Sequence, residues 1–143
     1  MEDYKKIDLN KVLKDIISSF GCVPFQIVSE DKSIFVNGNY TWLYKSFKQL
    51  FALGLREKDK NSRVELKKNG KYIYLNLIGF RSLIDDFSAL ENVSLMRFDD
   101  PLRGNSDIKY LDIPLIKLIL NLHNVKTTVD ENTALLSFRF ELA

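Results

Sequence analysis

The chain is poor in the residues that usually carry chemistry. It has one cysteine, Cys22, so an internal disulfide is excluded, and one histidine, His123, too few beside a single cysteine for a closed zinc site. A lone thiol fits a reducing cytosol. No apolar run approaches the ~20 residues of a membrane span. Met1 is followed by charged residues, where a signal peptide would place an apolar core. There is no internal repeat and no low-complexity linker. Neither sign of charge prevails: the net charge is +2 with both signs interspersed, which argues against nucleic acid as a partner.

What remains is an ordinary globular composition, 45% hydrophobic and 28% charged over 143 residues. That length suits one domain burying about two thirds of its unfolded surface. The expectation is a single domain over residues 1–143, cytoplasmic, with no membrane insertion.

The pattern along the chain supplies the elements. Leu9, Val12, Leu13, Ile16, Ile17 and Phe20 recur at helical spacing, with Asp8 as N-cap and Gly21 as stop. Phe25, Ile27 and Val28 read as a short strand and Ile34–Val36 as another, joined by the charged turn Ser29–Lys32. Asn39 can cap a second helix whose buried face is Leu43, Phe47, Leu50, Phe51 and Leu55. Gly54 inside that pattern costs about 1 kcal/mol against alanine, so it signals close packing or a fraying end. Val64 and Leu66, then Ile73, Leu75 and Leu77, alternate on either side of Asn69-Gly70, the favoured two-residue hairpin turn. That turn would pair Leu66 with Ile73 and Val64 with Leu75. Tyr72, Tyr74 and Asn76 take the other face. From Gly79 to Gly104 the period is weak. Leu83, Ile84, Phe87 and Leu90 fit a short helix, and Val93, Leu95, Met96 and Phe98 a further apolar patch. A last helix starts near Asp112, with Pro114 in its first turn, and ends about His123. Lys126–Val129 and Leu136–Leu142 close the chain as a hairpin. The fold class expected is α+β: a two-layer sandwich with a mixed, mostly antiparallel sheet of about five strands, covered on one face by about three helices.

Several stretches, in this order, resemble the catalytic ATP-binding domain of bacterial sensor histidine kinases, a Bergerat-type (GHKL) ATPase fold shared with gyrase and MutL. Ile7-Asp8-Leu9-Asn10-Lys11-Val12-Leu13 resembles the opening "vDLnevL". Leu43 through Arg56 is similar to the helix "L..vL.NLl.NAik", Asp112 through Val125 to "GLaIvk.iv..HgG", and Ser137–Leu142 to "tFtf.LP". The resemblance covers nearly the whole chain.

The nucleotide-contacting positions depart from it. The resemblance implies an asparagine holding Mg²⁺ where this chain has Leu53; the earlier asparagine position is Gln49. Leucine offers no oxygen, and Mg²⁺ wants oxygen ligands at about 2.1 Å. The adenine-reading aspartate of "DxGxG" falls on Gly79, and its glycines fall near Arg81 and Leu83. The phosphate-cradling glycines of "GxGLGL" fall on Ile108, Tyr110 and Asp112. Bulk at the first two would crowd a phosphate, and a carboxylate at the third would repel it by about 1–4 kcal/mol at ~4 Å. Neither glycine string occurs anywhere in the chain. The resemblance also implies a structural role for His123 and a phosphoacceptor histidine on a preceding helical hairpin. That histidine is missing here: either the sequence is cut from a longer protein, or phosphotransfer has been dispensed with.

The functional expectation is a non-catalytic histidine-kinase ATPase-like module with no cofactor and no metal. It would act by protein–protein contact in two-component-type signalling, its cleft filled by side chains such as Leu53, Ile108 and Tyr110. The partner would be a histidine-containing helical hairpin or a response regulator. The alternative is an atypical Mg-ATP-binding kinase domain that phosphorylates a partner histidine, with Gln49 and Asp85 or Asp86 substituting. Compact ATPase-like binding proteins of the anti-sigma-factor type agree in length but also need the nucleotide motifs. The remaining features have plainer readings. Cys22 has no basic neighbour to activate it. Asp85, Asp86, Asp99 and Asp100 read as exposed turn carboxylates before they read as a metal site. Lys58, Lys60, Arg63, Lys67, Lys68 and Lys71 read as a solvated strand face before an acidic or nucleic-acid contact. Tyr40, Trp42 and Tyr44 could form an aromatic surface, with at least one of them in the core.

Overall fold

The computed structural model describes residues 5–21, 26–29, 34–54, 62–90 and 113–143. Strand β1 (Lys5–Asp8) runs directly into helix α1 (Leu9–Phe20). Strands β2 (Gln26–Ser29) and β3 (Phe35–Gly38) precede helix α2 (Tyr40–Gly54). Strands β4 (Arg63–Asn69) and β5 (Tyr72–Ile78) lead to helix α3 (Arg81–Leu90). Helix α4 (Ile113–Leu122) and strands β6 (Lys126–Asp130) and β7 (Leu135–Glu141) complete the described elements.

The helix ends follow from local chemistry. The Asp8 carboxylate accepts the Asn10 N–H at 3.0 Å and also the Ile34 N–H at 3.3 Å, so it caps α1 and ties it to the β3 side. Gly21 stops α1 at φ +79°, its N–H reaching the carbonyls of Ile17 and Ser18. Asn39 caps α2 by accepting the Trp42 N–H at 3.1 Å. Asn124, at φ +59°, turns the chain out of α4 toward β6.

The main sheet has five strands in the order β2-β4-β5-β7-β6. The β2–β4 pair is parallel and the other pairs are antiparallel. This is the mixed, mostly antiparallel sheet that the hairpin grouping predicts. Four described helices accompany it where about three are expected, because the weakly periodic Leu83–Leu90 stretch is a full helix. Two further corrections concern strands. β2 and β3 do not pair with each other: β3 joins β1 in a separate two-stranded sheet, while β2 adds to β4. The β4–β5 register puts Leu66 opposite Leu75, Val64 opposite Leu77 and Asn69 opposite Tyr72. The turn is therefore Gly70-Lys71, and Gly70 alone of the two has positive φ, +63°. The slip moves each partner by two residues, so the same side chains stay on the same face.

One apolar cluster joins helices and sheet. Phe47 of α2 meets Phe138 edge-on at 5.4 Å and Phe140 at 5.9 Å, and Phe87 of α3 meets Phe138 at 5.9 Å. Val64, Leu66, Ile73, Leu75, Leu77 and Leu136 are all fully buried beneath them. The opposite sheet face carries Glu65, Lys67, Tyr72, Tyr74, Asn76 and Arg139, half-buried or exposed. Beyond β7, Leu142 bridges to Val36, and the Ala143 N–H donates to the Phe35 carbonyl at 2.9 Å, which links the small sheet to the large one. No helix among the described residues is long and apolar enough to cross a membrane.

Candidate functional site

Of the positions that the family resemblance assigns to nucleotide, the described ones lie on α2 and at the β5–α3 junction. Gln49 and Leu53 lie one turn apart on α2, half-buried beside the Phe47–Leu50–Gly54 stripe. Leu53 packs against the core, so its side chain is apolar filling. Gly79 follows β5 at φ +86°. Its N–H donates to the Ala134 carbonyl at 2.9 Å, and its carbonyl accepts the Ser62 hydroxyl at 3.2 Å. A Cβ there would lie 3.1 Å from the Ser62 Cα, with backbone and not a yielding side chain as the obstacle. At the position given to the adenine-reading carboxylate a side chain would thus be strained by the positive φ and pressed against the Ser62 backbone. Arg81 opens α3 and is exposed; its guanidinium donates to the Glu131 carbonyl at 3.0 Å and so ties α3 to the β6–β7 turn. Leu83 is fully buried. Ile108, Tyr110 and Asp112 lie outside the described residues, as do Asp99, Asp100, Lys58, Lys60 and Cys22.

One residue at this junction escapes sequence reading. Phe80 is fully buried, and its ring lies over Gly54: a Cβ at Gly54 would sit 2.6 Å from Phe80 Cδ1 and 2.7 Å from Cε1. Glycine inside α2 is explained by close packing, at the last residue of the helix. The helix end and the strand end that would flank a nucleotide are held against each other by an aromatic ring. The signal available in the sequence was the pair of anomalies, a glycine in a helical stripe and a large apolar residue after a glycine. Nothing local says that they meet.

His123 is a second fixed point. Its Nε2 accepts the Asn39 N–H at 3.1 Å and its Nδ1–H donates to the Ile119 carbonyl at 2.8 Å, which sets the tautomer because a backbone N–H can only donate. The ring packs on Gly38, where a Cβ would come within 2.9 Å of Cδ2. Burial holds its pKa below the ordinary 6.5, partly offset by the bond to Ile119. It fastens the end of α4 to the start of α2, the structural role the resemblance implies.

The other carboxylates and rings make ordinary contacts. Asp85 and Asp86 are exposed on α3, whose Leu83, Ile84 and Phe87 face the core. No group of three His, Cys, Asp or Glu side chains among the described residues could hold a metal ion. Tyr40 stacks on Tyr44 at 5.8 Å and donates its hydroxyl to Asp15 of α1. Burial and that carboxylate push the Tyr40 phenol up to about 12; the Tyr40 hydroxyl holds the Asp15 carboxyl below its usual range. Trp42 is half-buried against the core. A shallow cavity of about 200 Å³ at the start of α2 is lined by Lys5, Ile7, Asn39, Tyr40 and Thr41.

No family model and no curated protein sequence matches the chain. Solved structures do. The histidine kinase domain of the E. coli osmosensor EnvZ superposes with a TM-score of 0.62 at 16% identity, over 98% of this chain and 89% of that one. The catalytic domain of the histidine kinase ThkA in a nucleotide-free form gives 0.59 at 12% identity over 97% of each chain. The ATP-binding domain of PrrB from Mycobacterium tuberculosis gives 0.60 at 11% identity over 99% of each. The fold is that of histidine kinase ATP-binding domains, end to end.

Proposed function

We propose that this chain is a non-catalytic module on the histidine kinase ATP-binding fold, acting by protein–protein contact in two-component-type signalling in the cytoplasm. The observation that carries the reading is the Phe80 ring seated on Gly54, beside a Gly79 whose positive φ and tight Ser62 backbone disfavour a side chain. The residues described here do not fit Mg-ATP in the manner the fold implies. Position 53 offers no oxygen to Mg²⁺, position 79 offers no carboxylate to adenine, and the space between their elements holds an aromatic ring. Packing replaces the ordering that a bound nucleotide would supply. The partner would be a histidine-bearing helical hairpin or a response regulator, the protein classes that the fold's signalling role brings into reach.

Calorimetric titration with ATP and ADP, with and without Mg²⁺, tests this directly. The expected result is no heat of binding and no rise in melting temperature. A ligand at 100 times its Kd would add about 2.7 kcal/mol of stability, a shift that is easy to detect. A saturable, Mg²⁺-dependent rise would overturn the proposal and favour an atypical kinase domain.

A further inference from the structure

We infer that the open face of the main sheet, at its β4–β5 turn end, is a docking surface for an acidic protein segment. The strand register builds it. Lys67 lies opposite Tyr74, Tyr74 opposite Arg139, and Arg139 opposite Lys126, so these four stand in one row across four adjacent strands. With strands about 4.8 Å apart, the row spans roughly 14 Å. All four belong to the face turned away from the helices, since the residues alternating with them, Leu66, Ile73, Leu75, Phe138 and Phe140, are core. Lys71, in the turn, brings a further ammonium to the same end.

Carboxylates cancel this charge only in part, at Lys67. Glu65, one step along β4, is already bridged by Arg63 at 3.0 Å and Lys67 at 3.5 Å. Burial pushes its carboxyl up, but those two cations leave it net below the usual carboxylate range. Glu141, opposite Tyr72, is the other carboxylate at this end. Lys71, Lys126 and Arg139 make no ion pair among the described residues. Arg139 is instead held by a ring: its guanidinium carbon lies 4.5 Å from the Tyr72 centroid, with Lys71 Nζ at 5.6 Å from the same ring. A planar guanidinium fixed in this way can present its donors to a carboxylate in one plane.

The same contacts decide the class of anion. A single-stranded nucleic acid stacks its bases on a run of free ring faces, and with two cations against Tyr72 the row itself offers the one phenol Tyr74. A net charge of +2 also gives little long-range field for a polyanion. Cations about 5 to 10 Å apart along the row, with Tyr74 between Lys67 and Arg139, match the carboxylates of an acidic chain segment. The inference rests on reading the domain as a binding module. The patch and the Phe80 junction lie on opposite sides of the sheet, so the peptide and nucleotide titrations fail independently.

The test is fluorescence anisotropy of a labelled glutamate-only peptide with the full chain. Saturable one-to-one binding that weakens with salt is expected. The Lys71→Glu/Lys126→Glu double variant should weaken it about tenfold or more, while Lys14→Glu/Lys45→Glu, an equal charge change on the helix side, should alter it less than about twofold. Arg139→Gln gives an independent arm should the double variant fold poorly, and far-UV circular dichroism checks each variant. Equal loss in both double variants, no saturable binding by the wild type, or tighter binding of an oligothymidylate or of phosphatidylserine vesicles would overturn the inference.

Discussion

At the scale of single residues, His123 makes the sharpest prediction. In the unfolded chain its imidazole titrates near 6.5, and in the fold burial keeps it neutral to lower pH. Above about pH 7.5 both states are neutral and stability is flat. As the pH falls below 6.5 the unfolded chain takes up the proton first, so stability drops until the folded imidazole titrates as well. Urea midpoints measured between about pH 7.5 and 5 should fall for the wild type and stay level for His123→Gln, since this is the only histidine. Ser46 points the other way. Its hydroxyl is fully buried on α2 with no hydrogen-bond partner among the described residues, so Ser46→Ala should raise stability by about 1 kcal/mol in denaturant unfolding. The Gly54–Phe80 contact can be measured as a pair. Gly54→Ala should cost about 1–3 kcal/mol by overpacking, and much less in a Phe80→Leu background that vacates the ring. The caps Asp8, Asn39 and Gly21 were legible in the sequence because each acts within three or four residues of itself. The Phe80 plug was not, because its two halves belong to different elements that only the tertiary fold brings together.

At the scale of elements, periodicity located the helices and the two hairpins, and its failures have physical causes. β1 went unread because Lys5–Asp8 is four residues ending in a helix cap, too short for a period to show. β2 and β3 look like a hairpin in sequence, yet a parallel partner for β2 comes from the far side of α2, and no local signal specifies that pairing. The β4–β5 turn was placed one step early because Asn-Gly is the stronger two-residue signal. Side-chain alternation is insensitive to a slip of this kind, since it preserves the face. The observed register is testable. Gly70→Ala should cost about 1–2 kcal/mol, since Gly70 sits at positive φ, whereas Asn69→Ala, at a paired strand position opposite Tyr72, should cost less than about 0.5 kcal/mol. Thermal melts of the two variants would separate the alternatives, because an Asn69-Gly70 turn would make both costly.

At the scale of the whole molecule, the α+β layering was legible because hairpins separated by amphipathic helices leave few ways to bury their faces. One core draws on all four described helices and on strands of both sheets, so unfolding followed by far-UV circular dichroism and by Trp42 fluorescence should give coincident transitions. The candidate site was legible only as departures, such as Leu53 without oxygen and Gly79 without a carboxylate. What occupies the junction depended on long-range packing. The strand order has a consequence for synthesis. β7, the last strand, lies inside the sheet between β5 and β6. Until β7 has emerged from the ribosome, the edge of β5 that it covers keeps its N–H and C=O groups unpaired by β7. β7 acts as a keystone: the sheet cannot close before these residues emerge, and chaperone engagement should be greatest until they do.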